Sequence, residues 1–237
     1  MSISLEDFLA SLEREFAPQI EQTINNPLVR LAEKGGLTLE HLREIAKQEY
    51  YIAPQEFRHM GMAIARTGRT PPPGDLKVQR TLVEILEIFI GDWEAYEEFV
   101  QTLGLTLDEV RTSRVLPGAQ YFISWSHFSG SALDPEQHIA FIYLNWIAWG
   151  RACTNLVRVM NREQNKFDPA KIKFLTLFTY TNDALNQKMK DVVNSYASKS
   201  DENQGKIRWA VKMGLDAEKM FWNDIADFGK RSDPFSI

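Results

Sequence analysis

Residues 134–160 read DPEQHIAFIYLNWIAWGRACTNLVRVM, and this stretch decides the fold. Asp134 is a helix cap, Pro135 suits the first helical position, and Gln137 stands three residues after the cap, as in a capping box. From Ile139 to Ala152 apolar residues cover nearly every face of the helix. A helix apolar all round is either a core helix or a membrane span. Asn145, Gly150 and Arg151 interrupt the run before the ~18 to 20 apolar residues that a bilayer requires. The stretch therefore reads as the central helix of a soluble bundle.

The flanking sequence supplies the helices to pack around it. Leu5, Phe8, Leu9, Leu12 and Phe16 recur at three- and four-residue spacing, which predicts a first helix over residues 4–25, kinked at Pro18. After Asn26 and Pro27 a short helical turn is expected at residues 28–32, ended by Gly35 and Gly36. A second helix runs from the cap Thr38 to about Ala65, with a kink or break near Ala53 because Pro54 follows. Residues 67–74, TGRTPPPG, form the clearest loop. A third helix spans about 76–103, with Gly104 beyond its end. Thr106 and Glu109 form a capping box for a short fourth, and residues 119–129 an aromatic-rich fifth. Asp168 and Pro169 open a seventh helix to about Ala197. A polar loop over 198–205 precedes the last, residues 206–228, and a short tail carries Asp233, Pro234 and Phe235. No segment alternates with a two-residue period. The expectation is an all-α, single-domain bundle of about eight helices over residues 1–237.

Composition narrows the function. The chain has 237 residues and a net charge of -5, with acids and bases interleaved, which argues against a nucleic-acid surface. One cysteine, Cys153, excludes an internal disulfide and a cysteine-rich zinc site, and suits a cytoplasmic protein. The N-terminus has acids where a secretory signal has bases, and no span of membrane length occurs, so no membrane association is expected. Glycine-rich phosphate loops and a nucleophile elbow are absent.

The polar residues set inside apolar patterns are the candidates for chemistry. Glu49, Asp183 and Glu218 are such acids, and each needs a donor or a proton if it is buried. Asp183 shares a helical face with Thr179 and Asn186. Glu56 and His59 make one Glu-x-x-His, where a carboxylate-bridged di-iron bundle needs two. A chance occurrence is the simpler reading. His41 reads as a surface residue, His138 as solvated or a local hydrogen-bonder, and Cys153 as a buried, inert thiol.

Three short motifs in this order resemble the TenA (thiaminase II) and PqqC group, with its haem-oxygenase-like fold. They are Glu218-Lys-Met-Phe221-Trp222, Gln48-Glu49-Tyr50, and Ala119-Gln120-Tyr121 after Pro117. Helix order and spacing agree over almost the whole chain. The resemblance implies that Glu218 stands where TenA enzymes have a catalytic glutamate. It implies that Glu49 replaces the aspartate that holds the pyrimidine, that Tyr121 matches a pocket tyrosine and that Tyr180 matches another. Tyr50, Asn145, Trp149, Asp183 and Trp222 are the further candidates for contact with a ligand. The departure lies at Asn145, which stands where TenA enzymes carry the nucleophilic cysteine, and an amide cannot form the covalent intermediate. In the two-metal branch of the same fold, which includes the Chlamydia protein associating with death domains, the seventh helix carries His-x-x-x-Asp-x-x-His. Here Thr179, Asp183 and Asn186 stand at that spacing, without either histidine.

Three readings follow. In one, a small aromatic or amphipathic molecule binds inside the bundle, with Glu49 and Glu218 on its polar edge and Tyr121, Trp149 and Tyr180 as walls, in a protein without the thiaminase cysteine. In another, an iron or manganese oxidase uses atypical ligands such as Glu49, Glu56, His59, Glu87 and Asp183. In the third, the chain is a non-catalytic interaction module. No cofactor is named by the residues, the ligand set for a metal is incomplete, and whether the chain is an enzyme stays open. A homodimer is expected from the family analogy alone.

Overall fold

The computed structural model describes residues 8–67 and 76–228. Within them the chain is all-α, with no strand and eleven α-helices. These are α1 (Phe8–Glu15), α2 (Ala17–Ile24), α3 (Pro27–Glu33), α4 (Leu39–Arg66), α5 (Leu76–Thr102), α6 (Leu107–Arg111), α7 (Pro117–Ala132), α8 (Pro135–Met160), α9 (Pro169–Leu177), α10 (Asp183–Ala197) and α11 (Asp201–Asp227). The expected loop over residues 67–74, apart from Thr67, and the tail at 233–235 lie outside the described residues.

The count exceeds the expected eight because the short turn expected at 28–32 forms α3 and two predicted helices are each divided. At Pro18 the first one ends and restarts as α2, with the proline in its first turn, where a missing N–H costs nothing. The second division, between α9 and α10, falls on Phe178-Thr-Tyr-Thr-Asn182. There Thr179 Oγ donates to the Thr176 carbonyl, Thr181 Oγ donates to Asp183, and the Asn182 side chain accepts from the Leu185 N–H to cap α10. Such side chains offer the backbone local partners and so compete with a continuous helix. Conversely, α4 passes through Pro54 without a break. The predicted polar loop at 198–205 is shorter than expected, since Ser200 caps α11 by accepting from the Asn203 N–H, and Asp201 and Glu202 favour its positive end.

The boundaries set by caps follow the sequence closely. Asp134 and Gln137 close a capping box, with the Asp134 N–H donating to Gln137 at 3.0 Å, and Thr106 and Glu109 close another. Gly35 and Gly104 adopt φ of 72° and 70°, the left-handed turn that ends α3 and α5.

Helix α8 is central. It packs against α2, α3, α9, α10 and α11, and every residue from Gln137 to Asn145 is buried. From Trp146 onward burial is one-sided, with Trp146, Ile147, Trp149 and Gly150 partly open. Helix α7 is clamped between α4 and α11 by two close approaches. A Cβ at Gly118 would lie 2.5 Å from the Met220 carbonyl oxygen, and one at Gly130 would lie 2.4 Å from that of His59. Both positions therefore need glycine, and together they fix the spacing of α4 and α11 around the space in front of α8. No helix among the described residues is long and apolar enough to cross a membrane.

Candidate functional site

Where the all-round burial of α8 ends, a cavity of about 50 Å³ opens between α4, α5, α7, α8, α9 and α11. Phe89, Phe122, Trp146, Trp149, Phe174, Phe178 and Phe221 make most of its wall. Four carboxylates also line it: Glu49 and Glu56 from α4, Asp92 from α5 and Glu218 from α11. Asn145 faces it from α8. A larger outer cleft of about 350 Å³ lies beyond, bordered by α5, α8 and the 178–182 link. Cavity and cleft share Asp92, Trp146, Trp149 and Phe178.

Glu218 is the best-held of the four acids. Asn145 Nδ2 donates to one carboxylate oxygen at 2.9 Å, and Trp222 Nε1, one turn along α11, donates to the other at 2.7 Å. Trp222 is itself fixed by stacking on Trp149, with ring centroids 5.0 Å apart. Burial pushes Glu218 up to about 7, against the pull of these two hydrogen bonds. Glu49 is 8% exposed and has no hydrogen bond or ion pair among the described residues. Burial, and then the Glu218 and Asp92 carboxylates, push it up to about 8. Burial raises Asp92 to about 7, and burial followed by the neighbouring acids raises Glu56 well above the usual carboxylate range. No lysine, arginine or histidine lines the cavity to offset this charge.

The structure brings together Glu49, Asn145, Trp149 and Glu218 from the expected set, with Trp222 directly behind Glu218. It moves the others away from the cavity. The expected wall at Tyr121 is supplied by its neighbour Phe122, because α7 presents that face to α8, where Phe122 and Phe141 rings lie 6.1 Å apart. Tyr180 is 79% exposed and borders the outer cleft, and Phe178 takes the inner position. Tyr50 packs edge-on against Tyr51 and beside Trp93. Asp183 is exposed in the first turn of α10, since the break at 178–182 ends the helical face on which it was placed with Thr179.

The alternative metal ligands do not converge. Glu87 and Asp183 are exposed, and His59 turns from the cavity to His138. Among the described residues no group of three or more histidine, cysteine or acidic side chains is disposed to hold a metal ion. The expectation that His138 is solvated or locally bonded is corrected as well. It is fully buried, with Nδ1 on Ser129 Oγ at 2.8 Å and Nε2 on His59 Nδ1 at 3.1 Å, because α7 and α4 cover the first turn of α8. Cys153 is buried and off the cavity wall, and burial, with the Glu218 and Glu49 charges, raises its thiol.

Asp92 escapes the sequence reading, which gives Glu56 only as a candidate metal ligand. Asp92 carries a usable signal, since Phe89, Asp92, Trp93 and Tyr96 fall on one apolar stripe of α5. Glu56 lies seven residues after Glu49, two turns along the same face of α4.

Comparison with known proteins bears on this geometry. Residues 13–227 match the model of the TENA/THI-4/PQQC family. No curated protein matches the sequence. Among solved structures, a TenA homolog from Pseudomonas syringae pv. tomato superposes with a TM-score of 0.74 at 16% identity, covering 91% of each chain. A TenA homologue from Pyrococcus furiosus gives 0.74 at 17% identity, over 92% of this chain and 99% of that one. A domain of unknown function with a heme oxygenase-like fold from Shewanella denitrificans gives 0.79 at 13% identity, over 97% and 98%. At these identities the likeness establishes the haem-oxygenase-like fold.

Proposed function

The chain belongs to the TENA/THI-4/PQQC family, and on that premise we propose that its interior cavity binds a small, flat aromatic molecule whose N–H groups are held by Glu49 and Glu218. The observation that carries this reading is Glu49, a buried carboxylate on the cavity wall with no protein donor among the described residues. A buried acid without a donor is costly, and a ligand N–H removes the cost. The aromatic lining supplies faces for a ring, and Trp149 is held in place by Trp222, Phe178 and Phe221.

The chemistry open to this site is proton transfer. Glu49 and Glu218 titrate close to neutrality, the range suited to a general acid or base. The cavity wall offers no thiol, hydroxyl or amine for a covalent intermediate of the thiaminase kind. Asn145 has a different task, donating to Glu218 and so fixing which way the acid faces.

Titration calorimetry with 4-aminopyrimidine tests the reading. Saturable binding that Glu49→Gln weakens is expected, with no consumption of thiamine. Absence of binding by wild-type protein would overturn it. A second reading, a non-catalytic interaction role, has one observation in its favour: Phe128 and Trp209, each 45% exposed, lie 6.1 Å apart on the surface of α7 and α11. A homodimer in the cytoplasm remains part of the proposal by family analogy, and sedimentation equilibrium checks the oligomeric state.

A further inference from the structure

A separate cleft of about 650 Å³ lies where α3, the first turn of α4 and the end of α11 meet. His41 lines it eight residues before Glu49 on α4, and Ala226 lines it eight residues after Glu218 on α11. Along either helix the cleft is therefore about 12 Å from the interior acids. Pro27, Leu31, Ala226 and Phe228 give it an apolar surface, and Arg30, Lys34, His41 and Asp227 supply its polar groups.

The two cations are placed against their own interest. Arg30 and Lys34 stand four residues apart on α3, so they share a face, and like charges at that spacing repel. Glu33, the acid between them, reaches Arg158 instead, at 3.8 Å. Neither cation's side chain has a hydrogen bond or ion pair among the described residues, Asp227 included. Other surface cations are answered directly, as Lys173 is by Glu98 and Lys188 by Glu84, each at 2.7 Å.

His41 adds a donor without adding charge. Its Nδ1 accepts from the Thr38 N–H at 3.1 Å, which puts the ring proton on Nε2, and Nε2 has no partner among the described residues. The ring is held edge-on by Phe228, with centroids 5.2 Å apart. It is half-buried rather than a plain surface residue, and burial holds it below the ordinary 6.5, so it is neutral at pH 7. Two cations against the one carboxylate of Asp227 leave this cleft a single unbalanced positive charge. That suits a monoanion better than a dianion such as a phosphate monoester.

We propose that this cleft is a second ligand site, for a molecule that carries one carboxylate on an apolar chain. The carboxylate sits at Arg30, Lys34 and the His41 Nε2–H, and the chain lies over Pro27, Leu31, Ala226 and Phe228. An arginine offers a carboxylate two parallel N–H groups, and the apolar surface gains from covering the chain. The site is independent of the proposed function. The interior cavity, lined by four acids and no cation, repels such a molecule, so the two spaces select ligands of opposite character.

The experiment titrates octanoate, butanoate and octan-1-ol into the full chain by calorimetry at pH 7 and low salt. Octanoate is expected to bind saturably, one per chain. Butanoate, which keeps the head and loses the chain, and octan-1-ol, which keeps the chain and loses the charge, should each bind at least about tenfold more weakly, the scale of one charge-assisted hydrogen bond or a few buried methylenes. The double substitution Arg30→Gln with Lys34→Gln should weaken octanoate at least about tenfold and leave octan-1-ol unchanged. Both side chains are exposed, so its denaturant midpoint should match wild type. Glu49→Gln should leave octanoate binding unchanged. The proposal is overturned if wild-type protein does not bind octanoate, if either control binds as tightly, if binding survives the double substitution, or if Glu49→Gln abolishes it. The three-ligand comparison on wild-type protein needs no variant, so misfolding of a variant cannot shield the idea.

Discussion

Helix α4 carries two buried polar regions one turn apart, and they are built on opposite principles. At His59 the polar groups answer one another: His59 meets His138, and His138 meets Ser129, so both His138 nitrogens are used. Around Glu49 and Glu56 the polar groups face a void, and three of the four carboxylates have no donor among the described residues. The first pattern is what a fold does with polar side chains it must bury. The second is what a fold leaves open for something else. Burial alone does not separate them, since His138 and Glu49 are both inside. Partnership does.

The contrast can be broken by mutation, because the two regions should respond with opposite sign. His138→Ala leaves His59 without its partner and opens a void, while Ser129 Oγ keeps its bond to the Ser126 carbonyl. It is expected to cost about 2–4 kcal/mol of unfolding free energy, one orphaned group at about 1–3 kcal/mol together with the void. Denaturant unfolding measures this, and ligand affinity of the folded fraction should not change. Glu49→Gln should do the reverse. It removes an uncompensated acid, so stability should hold or rise, while affinity for 4-aminopyrimidine falls by about 10- to 150-fold, equivalent to about 1.5–3 kcal/mol for a hydrogen bond to a charged group. If both substitutions destabilise equally and neither affects binding, the distinction between the regions is lost.

A smaller and sharper effect is expected from pH. His59 and His138 are held below the ordinary 6.5, His138 at about 3, by burial. The unfolded chain therefore binds more protons at these two sites from about pH 3 to 6.5, and their contribution makes stability rise with pH and then level off. The acids work the other way. Glu49 at about 8, with Asp92 and Glu218 at about 7, binds protons in the folded chain that the unfolded chain has already released. Their contribution lowers stability as pH rises from about 4.5 to about 8. Between pH 6.5 and 8 the histidines are silent and the acids are not. Unfolding midpoints of ligand-free protein should fall across that window, and Glu49→Gln should flatten the decline.

Much of the fold was legible because helix ends are written in local chemistry. The Asp134-Pro135-Gln137 start, the Thr106-Glu109 box and the glycines at 35 and 104 each act within one turn of the chain. The division at 178–182 was less legible, since threonine and asparagine are tolerated within a helix and break it here only in combination. The site was legible where a motif fixed the position, as at Glu49, Asn145, Trp149 and Glu218. Tyr121 and Phe122 are both aromatic and adjacent, and which one faces inward depends on how Gly118 and Gly130 seat α7, a tertiary fact. Asp92 was missed although its stripe on α5 was readable, because a lone acid in an apolar pattern gains meaning only once other acids are found opposite it.

The aromatic wall shared by cavity and cleft has a consequence for time rather than for affinity. Trp146, Trp149 and Phe178 stand between the two spaces, and Phe178 belongs to the link that interrupts α9 and α10. A molecule that reached the acids from the cleft would pass these side chains. Passage that waits on a side-chain movement is slower than encounter in both directions. On the proposed function, substitution of Phe178 is therefore expected to change how quickly an occupant exchanges, while Glu49 and Glu218, proposed to choose the occupant, lie on other helices.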